Sequence, residues 1–429
     1  MTRLLTTLVA SLAAVTAAAF PLVGPASPTS ARPAQDSRAL PAFTDVSTTW
    51  QASCATASGG RGSGDRVWCW GSNGWGALGP EGTDGFVPRP QRIAGRWVQF
   101  ENAGGVSCGV RTRGRGYCWG RNDMGQLARP VSGYSQPRPQ RVPGRWREIR
   151  TDGDTTCGIR TGGALYCWGH DNNGQAGGVD TLYVVEPKRL GRGFTSVTPG
   201  ATSCATGRDA SAWCWGRGDH NQLANGNNTS TGVPQRIPGR WRTVAVDGGT
   251  GCGVRPSGRA ACWGENTTGQ VRPGAPSDVE VVRTLPGRWR DVDPGGPTTC
   301  GITVTGRGAC WGWNGVGTAG AGPGTEVTGL HRLPGRWSEL ETLGSGTCGV
   351  RTDRRAWCWG SNEHGTVGNG SLEPRFTPYR QDGRWTTVRL ALTHTCGMRG
   401  GTAWCWGYGT AGQLGHGGLD NRLTPVRVR

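Results

Sequence analysis

Apolar and polar positions along this chain alternate in short runs, and the runs are broken by Gly, Pro, Asn and Asp. Almost nowhere does a helical period hold, so the pattern predicts short β-strands joined by tight turns. A representative stretch predicts strands at 146–150, 156–160 and 164–168, with a fourth ending at 188–190. A Pro-Gly turn such as Pro143-Gly144 then leads into the next copy of the pattern, as it does at Pro238-Gly239, Pro286-Gly287 and Pro334-Gly335.

The copies are regular. Trp-Gly corners fall at Trp70, Trp119, Trp168, Trp215, Trp263, Trp311, Trp359 and Trp406, spaced by 47 to 49 residues. Self-similarity at that period signals a repeat architecture. Four strands per unit predict an all-β fold, a β-propeller of eight repeat units with four-stranded blades, whose radial closure protects the sheet edges. The strands before and after each Pro-Gly turn are expected to pair within one blade. On that reading the segment near Phe43 to Val46 completes the final blade beside Pro425 to Arg429.

Cysteines sharpen the unit. Each corner has one immediately before it and a second upstream, and the pairs account for all 16. In the run from Cys108 to Cys118 the midpoint falls at Arg113, so folding there sets the two cysteines directly opposite on neighbouring strands, where a disulfide forms readily. Gly114, Gly163 and Gly258 sit where such a hairpin needs positive φ, and the shorter last hairpin carries Gly400-Gly401, a pair suited to a tight primed turn. The first hairpin is longer, with a tip at 58–64. The expected bridges are Cys54–Cys69, Cys108–Cys118, Cys157–Cys167, Cys204–Cys214, Cys252–Cys262, Cys300–Cys310, Cys348–Cys358 and Cys396–Cys405. Zinc ligation is the alternative use of cysteine. It asks for convergent ligand sets, commonly with close spacing, and no Cys-x-x-Cys occurs; the six histidines hold no fixed place in the repeat.

The N-terminus fits an export route. Arg3 followed by an apolar run from Leu4 to Ala19 reads as a secretory signal peptide within 1–31, cleaved after Ala19 or near Ala31. Residues 32–42 read as a linker and 43–429 as the propeller domain. With no second apolar segment, the expectation is a secreted, soluble monomer without a membrane span. Disulfides agree with an oxidising compartment. Net charge is +18, and Lys188 is the single lysine among 47 basic residues, a composition typical of a GC-rich bacterium.

The run Trp119-Gly120-Arg121-Asn122-Asp123-Met124-Gly125-Gln126-Leu127 resembles the regulator of chromosome condensation repeat. A less complete copy has Trp263-Gly264-Glu265-Asn266 with Gly269-Gln270. The resemblance recurs in every unit. It implies a repeat propeller, seven blades being the family norm against the eight units counted here. The founding member is a nuclear exchange factor for a small GTPase that also binds chromatin; no catalytic loop of that factor matches a position in this chain. Secreted bacterial propellers of the class include one that inhibits β-lactamases through loops on one face. Paired cysteines and an export signal set this chain apart from the intracellular members.

Function is therefore sought in sites. Arg96, Arg145, Arg240, Arg288, Arg336 and Arg384 all occur in Gly-Arg-Trp, with Arg192 in a degenerate copy. In a propeller they form a positive ring that attracts polyanions such as anionic envelope polymers or nucleic acid. The alternative is that each covers its neighbouring Trp by cation–π stacking. Most tryptophans recur at fixed places and are read as packing residues. Aromatic and histidine residues that break the repeat, namely Trp75, Tyr134, Tyr183, His220, Trp313, His364 and Tyr408, are the candidates for contact with an extracellular protein partner. There is no Gly-x-Ser-x-Gly, no His-Glu-x-x-His and no phosphate loop, and His170-Asp171 and Asp152-Gly153-Asp154 read as turn residues. A protein-binding module with no cofactor is the favoured reading, ahead of a polyanion binder, an exchange-factor-like regulator or a hydrolase.

Overall fold

Each repeat folds into four antiparallel strands laid side by side in chain order. In the third unit these are Trp146–Thr151, Thr155–Arg160, Leu165–His170 and Tyr183–Gly191, close to the boundaries that the alternation predicts. The computed structural model describes residues 40–60, 63–80, 85–131, 133–178, 181–272 and 278–429. The expected leader and most of the linker, up to residue 39, lie outside the described residues, as do two positions of the first hairpin tip. Residues 41–429 cluster as one unit. No helix among the described residues is long and apolar enough to cross a membrane.

The strands make seven sheets among the described residues: six of four strands, and one of seven in which Glu326–Leu343 serves two units. Its first half pairs with Arg307–Trp313 and its second with Gly346–Arg351. Eight four-stranded units result. The strands flanking a Pro-Gly turn do not pair within a blade, contrary to expectation. Ser135–Val142 pairs with the strand before it, whereas Trp146–Thr151 pairs with the strand after it, so Pro143-Gly144 links one blade to the next. Chain closure is corrected in the same way. Asp45–Thr48 pairs within the first unit and Arg422–Arg427 within the last. The terminal segments still meet at the eighth unit: Phe43 N–H donates to the Gly401 carbonyl (2.7 Å) and Val428 N–H to the Ala403 carbonyl (3.0 Å).

All eight bridges form, with Cα atoms 4.0 to 4.2 Å apart across directly opposed residues. Gly400 and Gly401 both take positive φ, 57° and 73°, as a primed turn requires. The second and third strands are buried almost throughout, because neighbouring blades cover both of their faces.

Blades join through a repeated bond. In seven of the eight Cys-Trp-Gly corners, the buried Trp119 indole being the exception, the Trp donates its indole N–H to a loop carbonyl of the preceding unit: Trp168 to Gln126, Trp215 to Gln175, Trp263 to Gln222, Trp311 to Gln270, Trp359 to Thr318 and Trp406 to Thr366, all at 2.7 to 2.9 Å. Trp70 makes the same bond to Gln413 of the last unit (2.9 Å), so the ring closes with the contact used inside it.

A second rule explains the recurring Cys-Gly. A Cβ on Gly158 would lie 2.7 Å from the Trp146 ring, and one on Gly109 would lie 2.6 Å from that of Trp97; Gly253, Gly301, Gly349 and Gly397 likewise face Trp241, Trp289, Trp337 and Trp385. Where the cysteine is followed by alanine, at Ala55 and Ala205, the facing place holds the smaller Phe43 or Phe194. Glycine and tryptophan are thus chosen together by volume.

Candidate functional site

First strands of neighbouring units touch one another around the ring, as Asp45–Thr48 does with Thr387–Leu390, so they line its centre. The first strand is an edge strand, and its outward N–H groups need acceptors. Side chains of the preceding unit supply them. Thr151 N–H donates to Glu101 Oε2 (3.2 Å), Thr342 N–H to Asp293 Oδ2 (3.3 Å), Val388 N–H to Glu339 Oε1 (3.1 Å) and Ile149 N–H to Gln99 Oε1 (3.2 Å). The wall is consequently acidic in a basic protein. Arg150 and Arg389 are set among these acids, the latter 2.7 Å from Glu339. Burial pushes Glu101 up to about 7 against the pull of Arg150, Glu341 up to about 7 against that of Arg389, and Asp293 up to about 8. Sequence reasoning missed this wall; its signal is acids spaced two apart in one strand, as in Asp291/Asp293 and Glu339/Glu341. Among the described residues no three or more His, Cys, Asp or Glu side chains converge to hold a metal ion.

At one edge of the disc lie the second-to-third-strand hairpins and the links between blades. All seven Gly-Arg arginines, Arg96, Arg145, Arg192, Arg240, Arg288, Arg336 and Arg384, are exposed there. Three reach back to a hairpin carbonyl of the unit just completed: Arg96 to Gly59 (3.1 Å), Arg288 to Ser257 (2.7 Å) and Arg336 to Thr305 (3.2 Å). The stacking alternative is corrected, because a different set covers the tryptophans. Arg111 lies 4.6 Å from both Trp97 and Tyr117, Arg160 lies 4.5 Å from Trp146, and Arg351 lies 3.9 Å from Trp357. These sit at the end of the second strand, opposite the start of the first, which brings them over its Trp.

The opposite edge carries the loops after the Trp-Gly corners and the first-to-second-strand turns. In several units the loop is held from within by one Asx side chain: Asn122 Oδ1 accepts from Leu127 N–H (3.1 Å), Asn314 from Ala319 (3.0 Å) and Asn362 from Val367 (2.9 Å), and Asp171 takes the same part for Ala176 (2.8 Å). Asp152 likewise closes its own turn by accepting from Asp154 and Thr155 N–H. Such loops present side chains without prior ordering.

Trp75, His220 and His364 occupy one repeated place in these loops, and Trp313 and Tyr408 another. Tyr134 and Tyr183 stand at or just before the start of the fourth strand and are exposed. The ring geometry spreads most of them round the face, one to a unit. It brings two together: His364 and Tyr408 lie 5.4 Å apart across the seam of units seven and eight. Tyr408 N–H donates to the Thr393 carbonyl (2.9 Å), and Thr393 Oγ1 donates to the Trp50 carbonyl of unit one (2.9 Å). Trp50 is 64% exposed and Leu392 beside Thr393 is 56% exposed. The patch therefore runs over three units as His364, Tyr408, Leu392 and Trp50. Sequence reasoning missed Trp50 and Leu392 because their turns hold no repeated motif.

The family described as Regulator of chromosome condensation (RCC1) repeat matches residues 209–253 and 400–429. No curated protein matches the sequence. Among solved structures, human WBSCR16 superposes with a TM-score of 0.56 at 20% identity, covering 82% of this chain and 85% of that one. Yeast RCC1 (Prp20), solved bound to Kap60, gives 0.58 at 16% identity, covering 84% and 83%. Prp20p from Saccharomyces cerevisiae, in a structure reported with its binding properties to Gsp1p and histones, gives 0.57 at 16%, covering 84% and 85%.

Proposed function

The chain is a propeller of regulator of chromosome condensation type repeats, and on that premise we propose that it is an exported, non-catalytic binding module that docks a protein partner on its corner-loop face. The observation that carries this reading is the patch of His364, Tyr408, Leu392 and Trp50. Exposed Trp50 and Leu392 and half-buried His364 and Tyr408 stand there on loops and turns tied by hydrogen bonds. Rigid aromatic anchors on preorganised loops lose little entropy on binding. Support at the coarse level comes from the yeast relative, whose reported partners include Kap60, Gsp1p and histones. Trp75, Trp313, Tyr134, Tyr183 and His220 extend the same face. Eight disulfides suit an oxidising, extracellular setting.

The test is capture from secreted and envelope fractions with oxidised protein, washed at about 0.15 M and then about 1 M salt. A defined protein retained through the second wash by wild type, and lost with Trp50→Ser/Tyr408→Ser, supports the reading. Retention that survives this double substitution but fails with Arg336→Ser/Arg384→Ser moves the function to the arginine edge, as does release of an anionic polymer by salt.

A further inference from the structure

The arginine edge is not uniform. A hollow of about 1240 Å³ lies beside the hairpin and fourth strand of the fifth unit, takes in Val271 and Arg272 at the end of that unit's corner loop, and reaches the fourth strand of the sixth. Arg259, Arg272, Arg283 and Arg288 line it, and all four are exposed. Arg288 is held in place by two donations to the Ser257 carbonyl, at 2.7 and 3.1 Å. Between the guanidinium groups the aliphatic floor is half-buried Leu330, packed against a core that includes the buried Val271 and Leu285. Among the described residues no acidic side chain lines the hollow. A second hollow on this edge, about 540 Å³, differs in kind: Asp209 lies beside Arg192 and Arg208, and Phe194 and Trp213 line it.

We propose that the groove at units five and six binds an extended acidic peptide segment with carboxylates flanking an aliphatic side chain. Guanidinium groups match carboxylates bidentately, and Arg288 is already held in place. The aliphatic floor gains nothing from a phosphate backbone and offers no aromatic ring on which a base could stack, so it discriminates against single-stranded nucleic acid. A peptide supplies both parts, charge for the walls and an apolar side chain for the floor. The groove draws on the hairpin edge through Arg259 and Arg288 and on the end of the unit-five corner loop through Arg272, and it shares no residue with the patch of His364, Tyr408, Leu392 and Trp50.

The experiment is fluorescence anisotropy at about 0.15 M salt with intact oxidised protein and a labelled peptide of roughly twelve residues repeating Glu-Glu-Leu. The comparison probes are an all-glutamate peptide and a single-stranded oligonucleotide of equal length. Arg272→Ser/Arg283→Ser should weaken binding of the Glu-Glu-Leu peptide by about tenfold or more, since two charge-assisted contacts go. The equally charged loss Arg115→Ser/Arg141→Ser in unit two should change it less than about twofold, because those arginines lie outside the groove. Leu330→Ser should weaken this peptide and leave the all-glutamate peptide unaffected. Trp50→Ser/Tyr408→Ser should leave the affinity intact, which separates this site from that patch. The proposal is overturned by absence of binding, by equal weakening in the unit-two control, or by an oligonucleotide that binds as tightly and loses as much with Arg272→Ser/Arg283→Ser.

Discussion

His394 Nε2 lies 2.7 Å from Ser53 Oγ, a buried bond between the last unit and the first. Ser53 Oγ also lies 3.1 Å from the Gln413 carbonyl, to which it donates. The imidazole therefore donates from Nε2, while its buried Nδ1 meets no partner. In four other units the place of His394 is taken by Thr155, Thr202, Thr250 or Thr298. A histidine here belongs to closure of the ring.

Protonation of that ring would create a buried N–H with no acceptor, and burial holds His394 down to about 3. The unfolded chain, with an ordinary histidine, binds the proton first. Stability from this group is thus complete above the ordinary histidine range and is lost as pH falls toward 3. His394→Thr should remove that part of the acid sensitivity. Urea midpoints of wild type and variant at several pH values between about 6.5 and 4 check it; parallel slopes would exclude the role.

The wall of the ring titrates in the opposite sense. Glu101, Glu341 and Asp293 have folded pKa values raised by burial to about 7, 7 and 8. A raised carboxyl stabilises the fold fully below its unfolded value and loses that contribution as pH rises through the folded one. These acids should therefore lower the urea midpoint progressively from about pH 4 to about pH 8. Asp293→Asn keeps an acceptor for Thr342 N–H and removes the charge, so it should flatten the alkaline end of that fall. An unchanged profile in this variant would show that Asp293 ionises freely in the folded protein.

Strand positions and bridges were legible because period-two alternation and the Cys108 to Cys118 spacing are local. The linkage of blades was not. Pro143-Gly144 turns the chain in the same way whether it joins two strands of one sheet or two sheets, and only the pairing of Trp146 with Arg160 decides which. Arg145 is next to Trp146 in sequence, yet Arg160 is the residue that lies over its ring. Antiparallel register across a hairpin brings them together, and adjacency along a strand points side chains to opposite faces. Of the corner-loop patch, His364 and Tyr408 stood out as departures from the repeat, whereas Trp50 enters only through closure of the ring.

Seven bridges close loops of nine or ten residues and the first closes one of fifteen, each worth about 2 to 3 kcal/mol on the chain-entropy account. Cys300→Ala/Cys310→Ala should lower stability by about that much, with further loss from the space left between directly opposed strands. Strong reductant should shift wild-type melting downward by more than the single-bridge variant does. Melting unmoved by reductant would mean that pairing contributes little beyond the packed blades.

The pairing of Gly158 with Trp146 predicts a coupling of definite sign. Gly158 does not take positive φ, so alanine there meets no backbone penalty of that kind. Its Cβ would meet the Trp146 ring at 2.7 Å and the Glu148 carbonyl only at 3.1 Å, and the indole is fully buried and cannot swing away. Gly158→Ala should cost about 1 to 3 kcal/mol through overpacking. Trp146→Phe alone should also destabilise, because it leaves a cavity and loses the indole bond to the Val142 carbonyl at 3.3 Å. Together they recreate the Ala205 and Phe194 combination of the fourth unit, in which the smaller ring makes room for the methyl group. The double variant should therefore be more stable than the sum of the two single changes by about 1 to 2 kcal/mol, as a double-mutant cycle in urea would measure. Strict additivity would mean that the methyl group and the ring do not compete for the same space, and that the exchange of Gly-Trp for Ala-Phe among the repeats has another cause.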